Sequence, residues 1–203
     1  MVAVSVYNGF SIAAPVGPIG VLCIRRTLAE GRSTGFVAGL GAATADAFYG
    51  AVAGFGLTLV SAFLQRQEFW FRLIGGAFLC YLGVRTLLSK PASEAATPNS
   101  NSSFKLLGAY LSTLFLTITN PATILSFLAV FGVLRVGISG DYASAAVVVA
   151  GVFIGSALWW LTLSIGVGVL RAKFDANAMK WVNRTSGVII TGFGVAALIS
   201  LIA

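Results

Sequence analysis

Residues 14–22 read APVGPIGVL. Pro15, Gly17, Pro18 and Gly20 interrupt a run that is otherwise apolar. A proline inside a helix removes a backbone donor and clashes with the preceding turn, at roughly 3 kcal/mol. A glycine adds about 1 kcal/mol. The stretch is therefore built to be buried and also built to break a helix. The setting of that break decides how the chain is read.

The setting is a bilayer. Of 203 residues, 58% are hydrophobic and only 9% are charged, against about 25% charge in a soluble domain. So little charge cannot cover a water-facing surface. In lipid the backbone must satisfy itself, which leaves helices or a closed barrel. The apolar runs approach or exceed 20 residues and do not alternate with period two, so helices are expected. Six spans are predicted, at about 4–24, 36–64, 73–89, 106–134, 142–170 and 185–203. No Lys or Arg precedes Arg25, whereas a cleavable signal carries positive charge before its apolar core. The first run therefore reads as a transmembrane helix that stays in the chain.

The net charge of +7 would suggest nucleic acid in a soluble protein. Here the cations lie between apolar runs or at their ends. The odd-numbered loops hold Arg25, Arg26, Arg32, Arg85, Lys90, Lys105, Arg171, Lys173, Lys180 and Arg184, which is ten of the thirteen Lys and Arg. Positive loops stay inside, so these loops are expected in the cytoplasm and both termini outside, in a bacterial-type cytoplasmic (inner) membrane crossed many times. The segment KPASEAATPNSNSSFK, residues 90–105, reads as a flexible cytoplasmic linker between two halves, 1–89 and 106–203.

The halves align weakly. Gly39, Gly54 and Gly56 match Gly151, Gly166 and Gly168 at an offset of 112 residues, as do Arg72 and Gly75 with Arg184 and Gly187. Pro15 matches Pro121 at an offset of 106. Three spans per half is an odd number, so the second half enters the membrane in the opposite sense. The expected architecture is all-α and integral to the membrane: six transmembrane helices as two inverted three-helix repeats. In secondary transporters of this design, helices broken at corresponding places build the central site. APVGPIG and TITNPATI (residues 117–124) are the two breaks. Pro15, Gly17, Pro18, Thr117, Thr119, Asn120 and Pro121 are the candidate site residues there. A kink that only shapes helix packing is the competing reading.

Of the six acids, Asp46 alone falls inside a predicted span. Ionised at a helix centre it costs about 2.5–3.5 kcal/mol on insertion scales. It is therefore a candidate for binding an ion or substrate, or for taking up and releasing a proton. The competing role is a structural hydrogen bond to a neighbouring helix. Its match in the second half is Leu158. The pairs Gly35/Gly39, Gly50/Gly54 and Gly151/Gly155 suit close helix approach within one subunit; a homodimer interface is the other use of such pairs. Trp159, Trp160 and Trp181 read as packing or interfacial residues.

Cys23 and Cys80, with no histidine in the chain, argue against a disulfide framework and a Cys/His metal site. Neither a cofactor nor a catalytic nucleophile with its base is expected, so the chain does not read as an enzyme. A membrane thiol electron carrier, a small-solute channel and a non-transporting scaffold remain as alternatives to a transporter.

The segment from Ala14 to Leu57, with the basic run R-x-x-x-x-G-R at residues 26–32 and an acid in a Gly-rich second span, resembles the N-terminal half of the LysE/RhtB-type amino-acid exporters. TNPATILSFLAVFG, residues 119–132, resembles their Asn-Pro segment. The resemblance implies export of amino acids or similar small metabolites, driven by the proton gradient. Two departures touch the presumed site. The family's Pro-Gly-Pro is spread over residues 15–18, and Ala122 stands where a basic residue commonly follows Asn-Pro. The identity of the substrate does not carry over.

Overall fold

A computed structural model describes residues 2–13, 17–55, 63, 66–89, 102–120, 123, 127, 142–171 and 176–201. These fold into seven helices, with no strand among the described residues: α1 (Val2–Ala13), α2 (Pro18–Glu30), α3 (Arg32–Gly54), α4 (Glu68–Leu87), α5 (Ser102–Ile118), α6 (Tyr142–Leu170) and α7 (Ala176–Ile199).

The span expected at 4–24 is two helices. α1 stops at Ala13, and α2 starts at Pro18 with Gly17 as its N-cap. Proline suits the first helical position, because its fixed φ fits and its missing N–H would have no partner there. α2 ends at Gly31, whose φ of +102° is open to glycine and strained for other residues. The Gly31 N–H reaches back to the Thr27 carbonyl at 3.1 Å, and α3 follows at once.

Several cations read as loop residues lie on helix ends instead. Arg25 and Arg26 belong to α2, Arg85 to the last turn of α4, Lys105 to the first turn of α5, and Lys180 and Arg184 to the early turns of α7. α5 itself starts at Ser102, and the rest of the expected linker, 90–101, lies outside the described residues. A helix continues past its apolar stretch while its long basic side chains reach toward water.

The packing is inverted relative to a water-soluble protein. Thr27, Thr113, Thr117, Ser156, Ser164 and Asn183 are fully or almost fully buried. Large apolar residues such as Trp70, Phe153, Ile165, Val188 and Ile189 face outward. Hydrocarbon accepts that outer surface. By length and composition, α6 and residues 177–199 of α7 are apolar enough to cross a bilayer.

Small residues set the helix pairs. α1 lies on α6, where a Cβ on Gly155 would strike the Val6 carbonyl and one on Gly151 would strike Ser5. α3 contacts both α5 and α6; Gly41 meets the Tyr110 carbonyl and Gly39 meets Trp160. α4 and α7 run antiparallel, with Gly76 against Gly194 and Gly83 against Gly187. α2 packs on α3, α6 and α7 and is clipped to α5 by one side chain. Arg26 donates to the Ala109 carbonyl and Thr113 Oγ1, both at 2.9 Å, and to Ser112 Oγ at 2.8 Å.

Candidate functional site

A cavity of about 410 Å³ opens in the centre of the bundle. Gly17, Pro18, Ile19 and Gly20 bring the first turn of α2 to it; Ala42 and Asp46 come from α3; Gly75, Gly76 and Leu79 come from α4. Leu116, Thr117, Thr119 and Asn120 bring the end of α5, Trp160 comes from α6, and Phe193 and Ala196 come from α7. Six candidates spread over more than a hundred positions of sequence therefore share one wall: Gly17, Pro18, Asp46, Thr117, Thr119 and Asn120. Pro15 and Pro121 lie outside the described residues.

Among the described lining residues Asp46 alone is ionisable. It is 4% exposed. Ser156 Oγ donates to Asp46 Oδ2 at 2.7 Å, and Trp160 Nε1 donates to Ser156 Oγ at 3.1 Å. The hydroxyl accepts from the indole and passes its own proton toward the carboxylate, so α6 orients Asp46 through two linked groups. Hydrogen bonds to a charged acceptor are worth about 1.5–3 kcal/mol.

α2 begins at the same cavity. The first N–H groups of a helix have no partner within it, and Gly17 gives no side-chain cap. Ile19 and Gly20 therefore bring the positive end of the helix dipole to the cavity. One cavity is lined by both a carboxyl group and backbone donors.

The second break is differently built. α5 ends at Ile118, whose carbonyl accepts a hydrogen bond from Tyr49 Oη, three residues along α3 from Asp46. The Thr117 hydroxyl donates to the Thr113 carbonyl and that of Thr119 to the Phe115 carbonyl, both at 2.8 Å. These two candidates thus bond their own helix, and what remains to face the cavity is acceptor capacity. The backbone of Asn120 makes two turn bonds, donating to the Thr117 carbonyl at 3.3 Å and accepting from Thr123 N–H at 3.1 Å.

Sequence reasoning treated Trp160 as packing and did not single out Ser156. Their only signal is the i, i+4 spacing of a hydroxyl and an indole on one face of α6; the partner is 110 residues away.

The family model for the LysE type translocator matches residues 10–201. The "Putative amino acid efflux protein YcgF" of Bacillus subtilis is 25% identical over 190 residues, covering 92% of this chain and 89% of the relative. The "Uncharacterized membrane protein YahN" of Escherichia coli is 27% identical over 173 residues, covering 85% and 77%. The "Uncharacterized membrane protein YrhP" of Bacillus subtilis is 25% identical over 187 residues, covering 86% and 87%. No solved structure matches the chain significantly. With nearly its whole length matched, an all-helical fold and an outer surface suited to lipid, the chain belongs to the LysE-type translocators and is a membrane protein.

Proposed function

We propose that the protein is a secondary-active exporter of amino acids or related small metabolites, not an enzyme, with proton coupling at Asp46. The observation that carries this is the central cavity, to which one buried carboxyl group and the first turn of α2 both come. A zwitterion fits that pair of poles: its ammonium meets Asp46 and its carboxylate meets the backbone donors. The efflux named for the Bacillus subtilis relative agrees with this direction of transport.

The proposed architecture is six spans as two inverted repeats, 1–89 and 106–203, joined by a cytoplasmic linker. Its support is a correspondence in packing. α1, the first half of the broken first span, lies on α6; α5, before the second break, lies on α3. Those are the contacts an inverted repeat exchanges. The cations of the odd loops gather at one end: Arg25, Arg26, Arg85 and Lys105 line a common cavity, and Arg171 donates to the Leu28 carbonyl at 2.9 Å. That grouping favours a cytoplasmic basic end and external termini in the inner membrane. The close glycine contacts above are made within the chain, so they leave no need for a homodimer.

A thiol carrier fits less well. Cys23 is buried in the core on α2, Cys80 lies on α4 with its sulfur toward Gly194, and neither lines the central cavity.

The test is Asp46→Asn, which keeps the shape and cannot titrate. In reconstituted vesicles the variant is expected to insert normally and to exchange substrate in counterflow, but not to accumulate substrate under an imposed pH difference. Full pH-driven accumulation would make the carboxyl structural.

A further inference from the structure

A second cavity, of about 560 Å³, is lined from α2, α4 and α5, three of the helices that line the first. Along α2 the central cavity uses residues 17–20 and the second uses Leu22, Arg25 and Arg26. Along α4 the central cavity uses residues 75, 76 and 79 and the second uses 78, 81, 82, 85 and 86, so the two meet around residues 78–79. Along α5 the order runs backwards, from 116–120 to 105–112. The two cavities are therefore stacked, one above the other. Leu22 and Leu82 line the second cavity, Leu79 and Leu116 line the first, and all four belong to one buried cluster, a leucine layer.

The second cavity is basic, with four cations and one carboxylate, Glu30, among its described lining residues. Two cations are held by the protein. Arg26 is occupied on α5, and Arg25 pairs with Glu30 at 3.5 Å and donates to Asn183 Oδ1 and Ser89 Oγ. Arg85 and Lys105 make no hydrogen bond or ion pair with any described residue. Arg85 is also close enough to repel both Arg25 and Arg26. A concave site with uncompensated like charge focuses its field on an anion and raises its local concentration.

We propose that this second cavity is the entry vestibule of the Asp46 cavity, where Arg85 and Lys105 hold the carboxylate of an amino acid or similar solute before it crosses the leucine layer. The proposal rests on the transport reading above. The leucine layer is a hydrophobic constriction that stays closed to ions until its helices part.

The test uses a cysteine-free chain (Cys23→Ser, Cys80→Ser) carrying Gly108→Cys. Gly108 lines the vestibule, and a Cβ there meets no atom within 4 Å. The probes are the anionic sulfonatoethyl and the cationic trimethylammonioethyl methanethiosulfonates, applied in phosphatidylcholine vesicles. Rates are normalised to a free thiol. The anionic probe is expected to react about tenfold faster, and Arg85→Gln with Lys105→Gln to abolish that preference. In efflux assays the same pair should raise KM severalfold at unchanged kcat. Equal probe rates, a preference that survives the pair, or an unchanged KM overturns the vestibule. Anionic labelling slowed by phosphatidylglycerol in the parent but not in the Arg85→Gln, Lys105→Gln pair would make a lipid phosphate the occupant and overturn it too. Absence of efflux of any amino acid from the wild type overturns the transport reading itself, which the labelling arm does not need.

Discussion

α3 and α6 pack against each other at the central cavity, and their glycines match at an offset of 112 residues. Their chemistry does not match. α3 supplies Asp46; α6 supplies Ser156 and Trp160, which hold that acid. Leu158, at the position matched to Asp46, is 45% exposed on the outer surface. Of the matched glycines, Gly39 leaves room for Trp160, Gly151 for Ser5 and Gly168 for Arg32, where a Cβ would collide, while Gly166 faces open space. Polar residues answer to the cavity and differ between the two helices.

The largest expected effect comes from a close helix contact of α6, at Gly155, whose match on α3 at the same offset is the small residue Ala43. Gly155→Leu drives a side chain into the α1 backbone. Overpacking costs about 1–3 kcal/mol even where side chains can shift, and a backbone carbonyl shifts less. The variant is expected to give no monodisperse peak on size exclusion in detergent. A wild-type elution and melting temperature would mean that α1 is not held on α6.

Next is an attempt to move the unmatched part across. Leu158→Asp in an Asp46→Leu background puts an acid on the outer face near the middle of α6, at about 2.5–3.5 kcal/mol. Reduced insertion and no recovery of transport are expected. Recovered pH-driven transport would show that position 158 reaches the cavity and that the two helices are chemically equivalent.

The smallest effect isolates the hydrogen bond between the helices. Ser156→Ala and Asp46→Ala, singly and together, form a cycle read by thermal unfolding. A coupling of about 1.5–3 kcal/mol is expected for a bond to a charged acceptor. Additive losses would mean that Ser156 does not hold Asp46.

The readable parts of the sequence were those whose cause is local. Pro18 breaks a helix through its own ring, and a lone acid among apolar residues is visible without a structure. Pro15 and Pro121 made the pairing of breaks visible, although both lie outside the described residues. Ser156 was not readable as a partner, because nothing near residue 156 records that residue 46 will lie 2.7 Å away. The charges misled at the helix ends: Lys180 and Arg184 looked like a loop, but α7 begins at Ala176. Composition reports where water is, and helices extend into it.

The gap between Ala13 and Pro18 also has a mechanical meaning. Neither Pro15 nor Pro18 can donate a backbone hydrogen bond, so the ladder that stiffens a helix is weakened there. α1 lies on α6, whereas α2 lies on α3, α6 and α7 and is riveted to α5 through Arg26. A straight rod in this place would carry torque from one end of the bundle to the other. α2, which starts afresh at Pro18, has its own seat apart from that of α1, and Gly17 at its start lies on the cavity wall.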